Sequence, residues 1–190
     1  MKDLIIKHLN EHKNLLDKFD ELNESIEKIA NLLIYCLESE GTIYWCGNGG
    51  SASDSQHLAA EFVGRYVNDR RPLKSIALNA DSAVMTCIVN DYGYDQIFSR
   101  QVEALGTEKD VLIGISTSGN SKNVLNALDF ANKKNMVTIG LLGNKGGKAG
   151  NIAQHSIIVP SKITARIQEI HILIGHILCD LVEVGLNLKK

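Results

Sequence analysis

The sequence predicts an α/β domain with a five-stranded parallel β-sheet flanked by helices. Short apolar runs of strand length alternate with longer segments of helical periodicity, which is the order typical of βαβ units. One run, residues 111–115, is continuously apolar, as expected for a strand that is buried on both faces. The 190 residues suffice for one domain with a sizeable core, and no linker or low-complexity segment divides them. We therefore expect a single domain spanning residues 1–190.

Residues 1–40 are predicted to form a helical arm before the first strand. Apolar residues recur at helical spacing, roughly in the first half and more clearly between residues 26 and 37. Asn23 or Ser25 could break or recap the helix between the two stripes. The apolar face of such an arm must be covered by the domain itself or by another subunit, and we expect the arm to serve in oligomerisation.

The first candidate site follows a predicted strand at residues 43–46. The segment Gly47-Asn48-Gly49-Gly50 can adopt positive φ and lets backbone approach a ligand closely. Ser51 is predicted to be the N-cap of the next helix, with Asp54 completing a capping box. A helix N-terminus behind a glycine loop favours an anionic or polyhydroxylated ligand, although many such loops bind nothing.

His57 and Glu61 lie one turn apart on this helix. Their side chains are separated by about 40° around the helix axis, so both could project beside the glycine loop as metal ligands or as an acid–base pair. The same spacing is also common for a pair of surface residues, and the two residues alone do not decide between these interpretations.

The elements after this helix continue the alternation of strands and helices. This helix is predicted to end near residue 66, and it is followed by a strand at 75–78, a helix at 81–88 capped by Asp81, a turn at 90–93 and a helix at 95–105. Next come a strand at 111–115, a polar loop at 116–121 and a helix with apolar positions from 124 to 131. The last elements are a strand at 136–142, a glycine-rich connection at 143–150, a strand at 157–159 and a final helix at 164–186.

The second candidate site is the polar loop Ser116-Thr117-Ser118-Gly119-Asn120-Ser121. Four hydroxyl groups and the free N–H groups of a helix start suit a phosphate monoester. The same residues could instead form a helix cap with spare serines. Because both candidate loops leave the carboxyl ends of parallel strands, we expect them at the edge of the sheet where α/β proteins bind ligands.

Two nucleotide-binding motifs fit the sequence poorly. The pattern Gly47-x-Gly49-x-x-Ala52 formally matches the dinucleotide fingerprint, but Asn79 follows the next strand where that fingerprint expects an acid. Residues 143–148 lack the spacing of a nucleotide P-loop.

The final helix places polar side chains in an apolar setting. His176, between Gly175 and Ile177, is predicted to be buried or nearly so, and such a histidine is most often a hydrogen-bonded core residue. Gln168 lies two turns earlier and about 80° around the axis, so both side chains could reach one cavity. His171 is about 140° from His176 and should face elsewhere.

Composition and charge exclude several classes of protein. The formal net charge is −2 with no basic block, so we expect no nucleic-acid partner. The four cysteines include no C-x-x-C pair, which suits free thiols in a reducing compartment. The N-terminus does not resemble a signal peptide, and His176 and Asp180 interrupt the longest apolar segment. We expect a cytoplasmic protein with no membrane partner.

Five ordered motifs, read together, resemble the sugar isomerase (SIS) domain family, and within it the phosphoheptose isomerases, over nearly the whole chain. The motifs are C-G-N-G-G-S at 46–51, Q-H-x-x-x-E at 56–61, N-D-Y-G at 90–93, S-T-S-G-N-S at 116–121 and R-I-Q-E-I-H at 166–171. The resemblance implies a flavodoxin-like SIS fold and a homotetramer with active sites between subunits. It also implies conversion of sedoheptulose 7-phosphate into D-glycero-D-manno-heptose 7-phosphate, a step toward nucleotide-activated heptose for bacterial surface polysaccharide.

The resemblance also implies roles for individual residues. From the chemistry of that reaction, which needs a base for the carbon proton and an acid–base group at oxygen, we predict that Glu61 and His176 are catalytic. One Zn²⁺ per subunit would be held by His57, Glu61, Gln168 and His176. The sugar phosphate would be bound by Asn48, Gly49, Gly50, Ser51, Glu61, Arg65, Asn90, Asp91, Ser116, Thr117, Ser118, Ser121 and Gln168. Some relatives carry an acid at the position of Ala165, so an acid–base role at that position cannot apply to this chain.

Two other functions are known for proteins that this sequence resembles. A non-enzymatic bacterial factor that binds the replication initiator DnaA is similar in the glycine loop and the R-I-Q-E stretch. That factor lacks the catalytic acid and the last histidine, so Glu61 and His176 favour the enzyme. A sugar-phosphate-sensing domain of a transcriptional regulator is disfavoured because no DNA-binding segment is attached.

Overall fold

The computed structural model describes residues 1–188, and residues 189 and 190, the end of the predicted domain, lie outside the described part. One parallel sheet has the strand order β2-β1-β3-β4-β5. Its strands are β1 (Ile43–Gly47), β2 (Ser75–Ala77), β3 (Val111–Ser116), β4 (Val137–Leu142) and β5 (His155–Ile158). The predicted fold class, a five-stranded parallel sheet flanked by helices, is confirmed.

The helices cover both faces of the sheet. They are α1 (Lys2–Leu16), α2 (Asn23–Glu38), α3 (Gly50–Val63), α4 (Ser82–Tyr92), α5 (Ser99–Leu105), α6 (Lys122–Lys133), α7 (Ala149–Ile152) and α8 (Thr164–Gly185). Short 3-10 turns lie at Phe19–Leu22, Tyr94–Gln96 and Asn144–Gly146.

Alternate residues of β1 supply two separate hydrophobic cores. Ile43 and Trp45 pack into the core that contains residues of α2, α3 and α8. Tyr44 and Cys46 pack into the core that contains residues of α5 and α6. Successive side chains of a strand point to opposite faces, so a strand with both faces covered must be apolar throughout. This requirement explains the continuous apolar runs in the sequence.

The predicted helical arm consists of two helices in different surroundings. In α2, residues such as Ile29 and Leu33 are almost fully buried in the core shared with α8. In α1 no residue is buried, and Leu4, Ile5 and Leu9 are 57–64% exposed. The domain itself therefore covers α2, whereas the apolar face of α1 remains uncovered in the single chain.

Several predicted element boundaries were wrong. The predicted turn at residues 90–93 is helical as far as Tyr92, because Asp81 caps the start of α4 and Gly93, with φ +83°, ends it. The helix α3 ends at Val63 instead of near residue 66. The last strand lies at His155–Ile158 instead of 157–159.

The cysteines are all free thiols, and three of them are core residues. Cys36, Cys46 and Cys179 are buried, whereas Cys87 is exposed. Burial raises the pKa of the Cys36 and Cys46 thiols to about 12, so both stay protonated at neutral pH. Within residues 1–188, no helix combines the length and the apolar character that a membrane span requires.

His171 is a buried core residue, and its ring contacts Leu142 and not the group that His176 contacts, in agreement with the prediction that the two face different ways. Its Nε2–H donates a hydrogen bond to the carbonyl oxygen of Leu142 at the end of β4 (3.1 Å). Burial lowers the pKa of this imidazole from 6.5 to about 4, and the hydrogen bond to Leu142 opposes that change only in part. The folded protein therefore holds His171 in its neutral form.

We expect the free energy of unfolding to fall as the pH drops from about 6.5 to about 4. In this range the unfolded chain binds a proton at His171 that the folded chain does not, so the stabilisation is complete above the unfolded pKa and is lost toward the folded pKa. At about 1.4 kcal/mol per pKa unit, the loss is about 3 kcal/mol. Urea unfolding at about pH 7 and pH 4.5 should show a pH dependence smaller by about 2–3 kcal/mol in His171→Gln. An equal pH dependence in the variant and the wild type would contradict this account.

Candidate active site

The glycine loop and the hydroxyl loop leave neighbouring strands at one edge of the sheet. Gly47 at the end of β1 pairs in register with Ile115 of β3, and Ser116 ends β3. The strand order reverses between β1 and β3, and open α/β sheets bind ligands at this reversal. A hydrogen bond joins the two loop regions, because the amide of Asn48 donates to Oδ1 of Asn123 at the start of α6 (2.9 Å). The predicted convergence of the two loops is therefore present.

The glycines of the first loop permit a positive φ and close contacts with neighbouring groups. Gly49 has φ +58° and precedes the first residue of α3. A Cβ atom at Gly47 would lie 2.7 Å from the carbonyl oxygen of Ser51, and one at Gly50 would lie 2.5 Å from Nε2 of Gln168. The loop therefore turns sharply onto the helix and leaves the exposed backbone of Gly49 and Gly50 free to approach a ligand.

The predicted capping box at Ser51 is wrong. The helix α3 already begins at Gly50, so Ser51 lies in its first turn, is 3% exposed and accepts a hydrogen bond from Oγ of Ser55 at its carbonyl oxygen (2.8 Å). The physical reason is the positive φ of Gly49, which starts the helix earlier than a serine cap would. Asp54 therefore does not form a capping box with Ser51.

His57, Glu61 and His176 form one cluster between α3 and α8. Nε2 of His57 lies 3.3 Å from Oε1 of Glu61 and 3.1 Å from Nε2 of His176. The three ligand atoms all lie within 4.8 Å of one another. The predicted His57–Glu61 pair therefore does not stand alone on a helix surface. His176 is half-buried, and its ring faces this cluster.

Two of the three ligand-atom separations in this cluster are compatible with a tetrahedral Zn²⁺ ion. Bonds of about 2.0–2.2 Å place neighbouring ligand atoms of tetrahedral zinc roughly 3.4 Å apart. The separations of 3.1 and 3.3 Å are close to that value. Two imidazole nitrogens and a carboxylate oxygen are also ligands that zinc accepts in proteins.

Close parallel packing of α3 and α8 brings the cluster together. Gln168 contacts Gly50 near the start of both helices, and His176 contacts His57 two turns later. A Cβ atom at Gly175 would lie 2.5 Å from the side chain of Leu58, so glycine at this position allows the close approach. The amide of Gln168 thus lies at the glycine loop, about 10 Å along α3 from the position of His57.

The carboxyl group of Asp54 is a feature of this site that the sequence did not reveal. Asp54 is half-buried, and its Oδ2 is a buried atom with no hydrogen-bond partner within residues 1–188. Burial raises the pKa of this carboxyl group, and attraction to His57 and His176 opposes the rise. Asp54 therefore adds an acceptor on the same helix as His57, close enough to interact electrostatically with both histidines.

A buried ion pair holds the end of α3 that carries Glu61. Arg70 donates to Oε1 of Glu183 from Nε (2.8 Å) and to the carbonyl oxygen of Glu61 from Nη2 (2.7 Å). The side chains of Arg70 and Glu183 are 3% and 1% exposed. The ring of Tyr66, which follows α3, stacks on His176 with a centroid distance of 5.5 Å. No role for Arg70 was predicted from the sequence.

Two serine hydroxyls of the hydroxyl loop hydrogen-bond to backbone N–H groups of the same loop. Oγ of Ser116 accepts a hydrogen bond from the N–H of Gly119 (3.1 Å) and lies 3.3 Å from Oγ of Ser121. Oγ of Ser118 accepts from the N–H of Asn120 (3.1 Å). Ser116 is buried, Thr117 and Ser121 are half-buried, and Ser118 is exposed. The loop thus keeps part of its hydroxyl surface accessible at the start of α6.

The second glycine-rich segment, residues 143–148, supports the hydroxyl loop from behind. The N–H of Ala149 donates to the carbonyl oxygen of Gly119 (2.9 Å), and the N–H of Lys148 donates to Oδ1 of Asn120 (3.2 Å). Gly119 has φ +65°, and a Cβ atom there would lie 2.0 Å from the carbonyl oxygen of Gly146. The segment that lacks P-loop spacing therefore acts as a structural support.

Three predicted substrate contacts are exposed and hydrogen-bond to groups outside the cluster. Asn90 and Asp91 are exposed in the last turn of α4 and hydrogen-bond to each other (2.7 Å). Arg65 is exposed and donates to the carbonyl oxygen of Val67 (3.1 Å). Asn90 and Tyr94 line a shallow pocket of about 450 Å³, and Tyr94 also reaches the glycine loop.

The chain is similar to one protein family along most of its length. The model of the SIS domain family matches residues 7–143. The phosphoheptose isomerase of Helicobacter pylori strain P12 is 53% identical over 182 residues, which cover 95% of each chain. Phosphoheptose isomerase 1 of Campylobacter jejuni is 51% identical over 183 residues, which cover 96% of this chain and 98% of that protein.

Solved structures give the same result. Phosphoheptose isomerase GmhA from Neisseria gonorrhoeae superposes with a TM-score of 0.91 at 42% identity, covering 96% of this chain and 98% of that one. A phosphoheptose isomerase from Francisella tularensis superposes with a TM-score of 0.92 at 36% identity, covering 96% and 97%.

Proposed function

This chain belongs to the SIS domain family and, within it, to the phosphoheptose isomerases, and on this basis we propose that it converts sedoheptulose 7-phosphate into D-glycero-D-manno-heptose 7-phosphate. The observation that carries the proposal is the cluster of His57, Glu61 and His176 at the same sheet edge as the hydroxyl loop. The reaction would supply a heptose phosphate for nucleotide-activated heptose, in the cytoplasm.

The reaction requires two proton-transferring groups. An aldose–ketose interconversion moves a proton between neighbouring carbons through an enediol, so one base must take the C–H proton and return it. A second group must exchange a proton with the carbonyl oxygen. We assign the carbon base to Glu61 and the acid–base role at oxygen to His176, since both side chains converge on one small volume.

The two loops would hold the rest of the substrate. In our proposal Ser116, Thr117, Ser118 and Ser121 bind the phosphate through hydroxyl and backbone N–H groups at the start of α6. The sugar would contact the glycine loop and the residues around it. These residues are Asn48, Gly49, Gly50, Ser51, Glu61, Arg65, Asn90, Asp91 and Gln168.

We also propose that the cluster holds one Zn²⁺. His57, Glu61 and His176 would be ligands, and Gln168 would be a fourth if its amide turns away from Gly50. A bound zinc ion would supply Lewis acidity at the substrate oxygen. Titration calorimetry should show about one site per chain, and His57→Ala should lower zinc affinity at least tenfold. Equal zinc affinity in His57→Ala would contradict this assignment.

An NMR assay of the purified protein with sedoheptulose 7-phosphate in D₂O tests the function directly. The proposal requires formation of the heptose 7-phosphate, with deuterium incorporated at the carbon that receives the proton. A parallel reaction with a chelator tests the need for metal. Absence of product with and without added Zn²⁺ would overturn the proposed function.

We further propose a homotetramer in which α1 contributes to subunit contacts. The exposed apolar residues Leu4, Ile5 and Leu9 support this, because a large apolar stripe is rarely left in water. Light scattering should give four times the chain mass of 20.8 kDa.

None of these observations favours binding of DnaA, and a pull-down with DnaA would test that alternative.

A further inference from the structure

The side chain of Asn48 is held by groups from two other parts of the chain. Its amide forms a reciprocal pair with Asn123, in which each Nδ2 donates to the Oδ1 of the other at 2.9 Å. The hydroxyl of Tyr94 donates a third hydrogen bond, to Oδ1 of Asn48 (2.8 Å). Asn123 is 2% exposed and also accepts from the N–H of Val124 (2.9 Å), so it is a fixed partner.

These bonds determine what Asn48 can offer to a ligand. Its oxygen has two lone pairs, and the donors of Asn123 and Tyr94 occupy both. Its NH₂ group has two N–H donors, of which one is given to Asn123. Asn48 therefore faces a ligand as an N–H donor and not as an acceptor. The complementary ligand group is an oxygen acceptor, such as a carbonyl, hydroxyl or phosphate oxygen.

Tyr94 is placed for this contact by the segment after α4. Gly93, with φ +83°, ends that helix and turns the chain into the short helical turn Tyr94–Gln96. This turn is tied to α6, because the amide of Asn126 donates to the carbonyl oxygen of Asp95 (2.9 Å). The hydroxyl of Tyr94 thus reaches the glycine loop from a segment anchored beside the hydroxyl loop.

We propose that Tyr94 is a positioning residue for substrate binding. The pair with Asn123 sets the orientation of the Asn48 amide, and the Tyr94 hydroxyl adds a third hydrogen bond that holds the side chain in place, with its second N–H directed at an oxygen of the sugar phosphate. Without this bond, the amide keeps its orientation through the two hydrogen bonds to Asn123 but is held less firmly against the substrate oxygen. The inference rests on the proposed function for the identity of the substrate, but the contact itself exists without substrate.

Tyr94→Phe removes only the hydroxyl and keeps the ring. With sedoheptulose 7-phosphate we expect KM to rise about 3- to 10-fold with kcat nearly unchanged, the size expected for one hydrogen bond. In an Asn48→Ala background the same substitution should change KM less than about 1.5-fold, because the group it positions is gone. Tyr35→Phe, on the exposed face of α2, is the matched control.

The double-mutant cycle decides between positioning and direct contact. An equal fold-change in KM with and without Asn48 would mean that Tyr94 acts independently of Asn48, and it would overturn the proposal. An unchanged KM in Tyr94→Phe would also overturn it.

A second readout does not depend on enzyme activity. In the ¹⁵N–¹H spectrum of the ligand-free protein, the side-chain NH₂ signal that disappears in Asn48→Ala should shift in Tyr94→Phe and stay in place in Tyr35→Phe. An unmoved signal would refute the contact. Lack of isomerase activity in the wild type would refute the proposed function and leave this spectral result unaffected.

Discussion

Glu61→Gln should lower kcat for the isomerisation by about 10²–10⁴-fold, the range typical for loss of a general base. The amide keeps the size of the side chain but cannot accept the C–H proton. Because the end of α3 is held through the backbone, by Arg70 on the carbonyl oxygen of Glu61, the fold should persist. Turnover is measured by NMR, and the fold is checked by circular dichroism and thermal unfolding.

Two comparisons make the Glu61 result specific. Glu27→Gln changes an exposed carboxylate on α2 in the same way and should leave kcat unchanged. Zinc content must be measured in parallel, since Glu61 is also a proposed ligand of the metal. Turnover near that of the wild type in Glu61→Gln would remove Glu61 from the mechanism.

The parts of the site that are contiguous in sequence could be predicted from the sequence. The hydroxyl loop carries its serines within six residues, and the turn from β1 onto α3 lies within four glycine-loop residues. The spacing of His57 and Glu61 on one helix gave their common direction. Local composition and helical periodicity are sufficient for such features.

The parts that depend on packing could not be predicted. His57 and His176 are 119 residues apart in the sequence. They come into contact because the glycine at position 175 lets α8 pack closely against Leu58 of α3. Hydrophobic periodicity placed His176 in an apolar helix but could not show that its ring faces a polar cluster. The positive φ of Gly49 makes α3 begin at Gly50, so Asp54 does not cap this helix. Its buried Oδ2 has no hydrogen-bond partner within residues 1–188, which the sequence could not show.

Two residues that support the site without belonging to the cluster, Arg70 and Tyr94, were also not predicted, because their contacts depend on tertiary packing. Arg70 lies between two predicted elements, yet its guanidinium donates to the carbonyl oxygens that end α3 and to the buried carboxylate of Glu183. Tyr94 follows a glycine in an exposed segment, and only the tertiary structure brings its hydroxyl to Asn48. Contacts of this kind carry no local signal in a single sequence.

His176→Gln is expected to lower kcat by a similar factor of about 10²–10⁴. Glutamine has about the reach of histidine and can form hydrogen bonds, but it cannot exchange a proton near neutral pH. The ring of His176 also stacks on Tyr66, so some loss of thermal stability is expected as well. His155→Gln, at the far edge of the sheet in β5, should retain normal turnover and is the matched control.

The double variant Glu61→Gln/His176→Gln shows whether the two residues act in one transition state. If Glu61 moves the carbon proton while His176 serves the neighbouring oxygen, loss of either group disables the same step. The double variant should then be slower than the worse single variant by only a few-fold, because the effects of groups that act as a unit are not additive. Multiplicative losses would mean that Glu61 and His176 share a location but not a catalytic step, and the assignment of His176 to the oxygen would have to be abandoned.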